Sequence, residues 1–457
     1  MKPQGWDNFL QQIAKDYQLR GRLKAVFLVR FAYENWRKPD KQVWKLAEAA
    51  SHETYKKQMT SVYASFTQQG DNAVYCPELE VYGRGPGKFN ILREWLQETQ
   101  YPQWQQSSAL PTSTGDLSFS YRVPVPYDSP FYIERPPVEA DCSQQALQPG
   151  ALIRIRAPEK MGKTSLLRRI LAHAESRGCQ PVYLNLREAE TGIFATLDKF
   201  LRWFCANISR ELGLKPVLDE DWSEELYGSL ISCKTYVQTQ VLSQLESPLV
   251  LGLDNVDRIF EFPEIAQDFL PMLRSWNEEA NNQDIWANLR LVIAHATEIY
   301  IDLDANQSPF NVGWPVHLEG FDLSQMQQLA QVWGLDWSAP TLEPVAKTLM
   351  EQVGGHPYLV QIALDALQNQ QMPCNQLLEQ APTQGGIYGD HLRAAWDTLH
   401  RQPDLAAAMK QVVESQDGVQ LEPRQTYQLE SMGLVTLTGD TVRPSCELYR
   451  QYFSTCL

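Results

Sequence analysis

The chain holds 457 residues, 43% hydrophobic and 21% charged, with a formal net charge of −15. Such a length accommodates about two to four domains. No apolar run approaches the roughly 18 residues of a membrane span. The start MKPQGWDNFLQQ lacks an apolar signal core, so neither membrane insertion nor export is expected. Eight cysteines, at 76, 142, 179, 205, 233, 374, 446 and 456, form no CxxC and have no flanking histidine pairs. That pattern reads as reduced, mostly buried thiols in a cytoplasm.

The charge is unevenly placed. Residues 1–60 carry 12 Lys and Arg against 6 Asp and Glu, and the remainder carries 28 against 49. A basic segment on an acidic body can contact an anionic partner or dock on the acidic body. In residues 1–36, Leu10, Ile13, Tyr17 and then Leu23, Val26, Phe27, Phe31 recur at helical spacing and predict two helices. Residues 42–50 and 53–67 predict a helix, a short turn at Ser51-His52 and a second helix, a helix-turn-helix pattern. Lys56, Lys57, Thr60 and Ser61 would give the second helix a DNA-compatible face. AVYCPELEVY and GRGPGK (83–88) are expected as strands and a basic wing. The alternative for residues 1–102 is a small helical protein-interaction module. Residues 103–128, rich in Gln, Ser, Thr and Pro, read as a linker.

Residues 151–167, ALIRIRAPEKMGKTSLL, carry the strongest signal. A β-branched and leucine-rich run is followed by a tight loop, Gly162-Lys163-Thr164-Ser165, and an apolar-periodic helix (Leu166, Leu167, Ile170, Leu171, Ala174). Glycine, lysine and hydroxyl in that order at a helix start make a phosphate-binding loop, Ala157 to Ser165, including Lys160 and Met161. Backbone amides and the helix N-terminus point at an anion. Lys163 is expected on the β/γ-phosphates and the Thr164 hydroxyl on Mg²⁺. The first glycine of the usual pattern is replaced by Ala157. An ordinary strand-turn-helix is the alternative, and it leaves that order of residues unexplained.

A second apolar run, PLVLGLDNVDR (248–258), ends in Asp254. A carboxylate at the C-terminal end of a buried strand can hold the water shell of Mg²⁺ beside phosphates, or Asp254 or Asn255 can cap the next helix. Asn255 stands where a glutamate usually activates water. An amide can orient a water but cannot take its proton, so binding is expected and hydrolysis is expected to be slow.

With further strands expected at 181–186 and 289–295, strands at 151–157, 181–186, 248–253 and 289–295 alternate with helices. They predict an α/β P-loop NTPase core over 129–318 with a parallel sheet covered on both faces. Residues 319–400 are expected as a helical lid whose segment 320–380 holds two amphipathic stretches, the second opened by Gly354-Gly355-His356-Pro357. Residues 401–457 read as two helices and a hairpin turning at Gly439-Asp440, a candidate winged helix that is not notably basic.

Six separated motifs then occur in order: SPFYIERPPVEADC, GALIRIRAPEKMGKTSLL, FLRWFC, LVLGLDNVDRIFE, the SPFNVG segment and GGHPYLV. Over residues 129–457 they resemble the AAA-like ATPases found widely in cyanobacteria, near the STAND signalling ATPases and the origin-recognition ATPases. The resemblance implies that Tyr132, Glu134 and Arg135 lie near the base and that alanine at position 157 is ordinary. Family members more often carry Glu at the position of Asn255. Thr297 is the implied γ-phosphate sensor at the end of the fourth strand, ahead of His295. The turn His356-Pro357 is implied to link core to lid on the adenine side.

These parts imply an ATP/ADP·Mg²⁺-dependent switch in signalling, regulation or defence, with an unidentified protein partner and with self-association on ATP binding. From another class, a DNA-handling ATPase of origin or transposition type would act through its winged modules, with DNA contact expected to be weak. A third option is a scaffold keeping its nucleotide for stability.

Overall fold

A computed structural model describes residues 6–17, 19, 21–36, 38–47, 49, 51–67, 75–82, 87–102, 123–296, 312–335, 337, 343–369 and 372–457. The chain divides into two compact units, Met1–Asp116 and Leu117–Leu457.

The first unit is helical among the described residues: α1 (Trp6–Asp16), α2 (Gly21–Phe31), α3 (Asp40–Leu46), α4 (His52–Ser65), α5 (Pro77–Tyr82) and α6 (Lys88–Trp95). Its core is aromatic, with Trp6, Phe9, Phe27, Phe31, Tyr55 and Phe66 fully buried. Arg30 is buried too, its Nε 2.9 Å from Asp40 Oδ1 and its guanidinium over the Phe89 ring. Ser51 caps α4 by accepting from the Thr54 N–H at 3.1 Å, and α3 and α4 lie where residues 42–50 and 53–67 were expected to be helical. Of the stretch 73–82 expected as strand, residues 77–82 are helical, while residues 73–74 lie outside the described residues. Pro77 opens that helix with its φ already helical and with no N–H to lose, and Glu78 and Glu80 lie in the first turn, where the helix dipole favours anions. In the basic wing, residues 83–86 lie outside the described residues, and Lys88 begins α6.

The second unit opens with α7 (Val138–Gln145) and β1 (Leu152–Arg156), followed by α8 (Lys163–Ser176), β2 (Gln180–Asn185), α9 (Leu197–Glu211), α10 (Leu218–Asp221) and α11 (Glu224–Tyr236). Then come β3 (Leu249–Asp254), α12 (Pro263–Glu279), α13 (Asp284–Ala287), β4 (Leu289–His295) and β5 (Trp314–His317). The five strands form one parallel sheet in the order β2-β3-β4-β1-β5. Every residue of β3 and β4 is buried, as expected for central strands covered on both faces. Leu152, Leu251, Leu291 and Ile293 face a core shared with α9, α11 and α12. Ile153, Ile155, Val250 and Val292 face the opposite core with α7 and α8. Gly252 lets α8 lie close on β3, for a Cβ there would come within 3.0 Å of Leu167 and Leu171 methyls. Strand β5 was not expected. It is four residues long, carries Pro315 and buries only Val316, a composition tolerated at a sheet edge.

Beyond the sheet, the segment expected as a lid holds four helices up to residue 380 rather than two stretches: α14 (Leu323–Val332), α15 (Glu343–Val353), α16 (Pro357–Gln368) and α17 (Cys374–Gln380). Turns interrupt each expected stretch. Next come α18 (Gly389–His400), α19 (Pro403–Glu414), α20 (Pro423–Ser431), the antiparallel hairpin β6 (Val435–Thr438) with β7 (Thr441–Pro444), and α21 (Glu447–Cys456). One apolar core runs through them from Phe321 to Phe453 without a break at residue 400. Among the described residues no helix is long and apolar enough to cross a membrane. All eight cysteines are free thiols.

Candidate functional site

The loop joining β1 to α8 is shaped by two left-handed residues, Lys160 at φ 62° and Gly162 at φ 100°. Such a sequence turns successive backbone N–H groups toward one concavity. Glycine is required at 162 both for its dihedral and because a Cβ would come within 3.1 Å of Arg135 Nη2. The loop ends in the first turn of α8, whose free amides face the same space.

Lys163 is buried to 9% exposure, and its ammonium donates to the carbonyls of Ala157 at 2.8 Å and Pro158 at 2.7 Å. Burial pulls its pKa down from 10.5 to about 8, against the opposing influence of Asp257, Glu159 and Asp254. The Thr164 hydroxyl donates to Asp254 Oδ2 at 2.7 Å, and the Tyr183 hydroxyl donates to the same oxygen at 2.8 Å. Asp254 Oδ1 accepts from the Asn255 N–H at 3.0 Å. Asn255 itself is left-handed, φ 54°, a conformation its short polar side chain tolerates. Its amide donates to Asn185 Oδ1 at 2.9 Å.

A cavity of about 430 Å³ opens on these groups. Of the residues expected to bind nucleotide, it is lined by Lys160, Gly162, Lys163, Thr164, Ser165 and Pro357, together with Asn255. Asp254 stands behind Thr164. Tyr132, Arg135, Ala157, Met161 and His356 are not in its wall. Tyr132 donates to Glu139 Oε1 at 2.8 Å beneath the Arg169 guanidinium. Arg135 braces the loop from behind, donating to the carbonyls of Met161 at 2.9 Å and Glu319 at 3.3 Å. Ala157, Met161 and His356 border a separate cavity of about 380 Å³ that also touches Gly433, Val435 and Tyr449. His356 is held neutral, its pKa lowered to about 3 by burial and then by His391. His391, lowered to about 4 by burial and then by Lys160, pairs with the Tyr449 hydroxyl at 2.7 Å. His295 is buried at the end of β4, and Thr297 lies outside the described residues.

Sequence reasoning missed several wall residues. Val123, Pro124 and Val125 belong to the stretch read as linker, yet the Val125 N–H donates to Ser165 Oγ at 2.9 Å and the Pro126 carbonyl accepts from Arg169 at 3.2 Å. Residues 103–122 lie outside the described residues. Asn185 and Arg187 reach the cavity from the end of β2, and Tyr358 and Gln361 from α16. No local signal distinguishes these positions, except that Asn185 ends a strand parallel to the one carrying Asp254.

The donors beside the loop, a hydroxyl and a carboxylate, are hard oxygen ligands suited to Mg²⁺ that keeps most of its waters. Among the described residues no cluster of three or more His, Cys, Asp and Glu could hold a metal by protein groups alone. The residues present therefore fit a cation that arrives with phosphate oxygens.

Residues 120–455 match the family described as the AAA-like domain. No curated protein matches the chain. Among solved structures it is similar to a Walker-type ATPase of Pyrococcus abyssi, at 14% identity, TM-score 0.49, covering 70% of this chain and 96% of that one. It is similar to the ORC2 protein of Aeropyrum pernix in its ADPNP–ADP complexes, at 16% identity, TM-score 0.40, covering 72% and 97%. A third is the ORC1 protein of Aeropyrum pernix in complex with DNA, at 14% identity, TM-score 0.34, covering 71% and 94%.

Proposed function

The chain belongs to the AAA-like domain family, and from that premise we propose that it is an ATP-dependent switch that binds ATP·Mg²⁺ and hydrolyses it weakly or slowly. One observation carries this reading: a single cavity is walled by the 159–165 loop, the ends of β2 and β3, and lid helix α16. A nucleotide filling it touches core and lid together, so the lid position depends on what is bound.

The roles follow from the geometry. Lys163 leaves its two carbonyls for the β- and γ-phosphates, exchanging neutral acceptors for charged ones. Bound Mg²⁺ supplies charge neutralisation, and Thr164 with Asp254 are the groups to hold it. Asn255 and Asn185 orient a water without deprotonating it. Val123, Pro124 and Val125, with Pro357 and Tyr358, provide the less polar wall for the base. Arg135 positions the loop from outside. The hairpin module at 401–457 is read as a winged helix that follows the lid, and residues 1–102 as an adaptor for a protein partner. A signalling, regulatory or defence role and ATP-dependent self-association extend this reading.

Calorimetric titration tests it. Lys163→Ala should weaken ATP·Mg²⁺ binding tenfold or more, from a charge-assisted contact of about 1.5–3 kcal/mol. Unchanged affinity would remove the assignment.

The alternative, a DNA-handling ATPase, draws on the exposed Lys56 and Lys57 of α4. The neighbouring hydroxyls do not add to it: Thr60 and Ser61 donate to the carbonyls of Lys56 and Lys57 on their own helix.

A further inference from the structure

We propose that Arg187 is the residue by which this site distinguishes a nucleoside triphosphate from a diphosphate, a role that rests on the nucleotide-binding reading above. Arg187 sits in the single 3₁₀ turn Leu186–Glu188 that follows β2. Its backbone is placed by Asn185, whose Oδ1 accepts from the Arg187 N–H at 3.1 Å and from the Asn255 amide at 2.9 Å. The turn thus holds the guanidinium on the same side of the cavity as Asn255.

The cavity has an inner and an outer end. Gly162, Lys163 and Thr164 line it at the start of α8, where the backbone amides converge. Asn185, Arg187, Asn255 and Ala296 line it from the ends of β2, β3 and β4. A phosphate chain seated on the loop presents its β-phosphate to Lys163 and its terminal group to Lys163 and to this second set together. Among the described residues, the cations in the cavity wall are Lys160, Lys163 and Arg187. Lys160 has its ammonium 4.1 Å from the centre of the Tyr358 ring, on the lid side. Arg187 is therefore the cation of the strand-end set.

In this structure Arg187 is held by carboxylates. Its Nη2 lies 2.9 Å from Glu159 Oε1 of the loop and 3.4 Å from Asp257 Oδ2. The side chains of Arg187 and Glu159 are 50% and 63% exposed, so their pair is a solvent-screened contact that contributes little. A terminal phosphate offers the guanidinium fork two charged oxygens in a bidentate geometry and outcompetes it. Asp257 is more buried, 15% exposed, and its Oδ1 accepts from the Ala296 N–H at 2.9 Å. It stays as the anchor that keeps the arginine near the end of β4. A diphosphate reaches the loop amides and Lys163 but stops short of Arg187, which keeps its carboxylates. The charge state of the ligand is thereby read as a choice of partner for one arginine, and Glu159 is released from Arg187 only by the triphosphate.

The test is titration calorimetry of the full chain with Mg·AMP-PNP and with Mg·ADP. In Arg187→Ala, affinity for the triphosphate analogue should fall about tenfold or more while ADP affinity changes less than about threefold, as expected for loss of one charge-assisted phosphate contact. Retained ADP binding also shows that the variant is folded. Arg187→Lys should lie between, keeping the charge and losing the fork. Glu159→Gln, which removes the competing carboxylate, should move the triphosphate-to-diphosphate ratio the opposite way. Equal losses for both ligands, no loss, or an unchanged ratio in Glu159→Gln would overturn the role of Arg187 and leave nucleotide binding intact. A wild-type chain that binds neither ligand would overturn both.

Discussion

The 157–165 loop and the N-terminal helices treat their lysines in opposite ways. In the loop, two residues are held left-handed and Lys163 is buried with its ammonium on two neutral carbonyls. The left-handed Lys160 and the buried ammonium cost free energy, which the two carbonyls and the nearby Glu159, Asp254 and Asp257 offset in part. In the N-terminal unit, Lys56 and Lys57 point to solvent from a regular helix, and the adjacent hydroxyls are satisfied on their own backbone. The buried cation of that unit, Arg30, is neutralised by Asp40 and stacked on Phe89. The loop thus couples a left-handed lysine to a desolvated charge kept on neutral acceptors. A solvated face shows neither.

The sharpest way to break this contrast acts on turnover. Wild type should release phosphate well below the ordinary range of about 1–10³ per second. Asn255→Glu should be faster by about a hundredfold, the lower end for a positioned general base. The gain is limited because glutamate tolerates φ 54° less well than asparagine, and because Asn185 must turn its amide to donate. Ordinary turnover by wild type, or no acceleration in the variant, would show that Asn255 is not the limiting group.

A second prediction concerns the buried histidines beside the loop. His356 and His391 have folded pKa values of about 3 and about 4, below the usual 6.5. Above pH 6.5 both are neutral whether folded or unfolded, and their effect on stability is nil. As pH falls below 6.5 the unfolded chain takes up protons that the folded chain refuses, so stability drops until the folded values are reached. Between pH 7 and pH 5 the loss should be about 2 kcal/mol for each histidine, read as a fall in the denaturation midpoint. His391→Gln should flatten that slope. A midpoint independent of pH across this range would refute the buried-neutral assignment.

The smallest expected effect sharpens the other side of the comparison. The wild-type chain should bind duplex DNA weakly at low salt and lose it by physiological salt, since most of its charge is acidic. Replacing Lys56 and Lys57 by alanine should lower the salt slope by at most about 2, one per phosphate contact. Submicromolar, sequence-selective binding of the intact protein at physiological salt would instead favour the DNA-handling reading.

Some of this was legible before any fold was known. The strand, loop and helix around Gly162, Lys163 and Thr164, and the strand ending in Asp254, could be read because each is set by a short run of residues. The N-terminal strands were misread because AVYCPELEVY has β-branched and aromatic residues, while Pro77 and the two glutamates after it decide for a helix. Strand β5 escaped because a four-residue edge strand containing Pro315 has no periodicity to detect.

By itself the sequence determined the order of elements that bury long apolar runs, the strands β1 to β4 and α8, and the residue types of the loop between β1 and α8, since these follow from spacing along the chain. Only the tertiary structure decided which distant side chains meet them. Parallel strand ends bring Asn185 and Arg187 beside Asn255, and Tyr183 beside Asp254. Packing of α16 against the loop puts Tyr358 under Lys160, and the segment at Val125 closes on Ser165. Such contacts span 40 to 198 residues of chain. They are selected by how sheet and helices pack, for which short-range propensity carries no information.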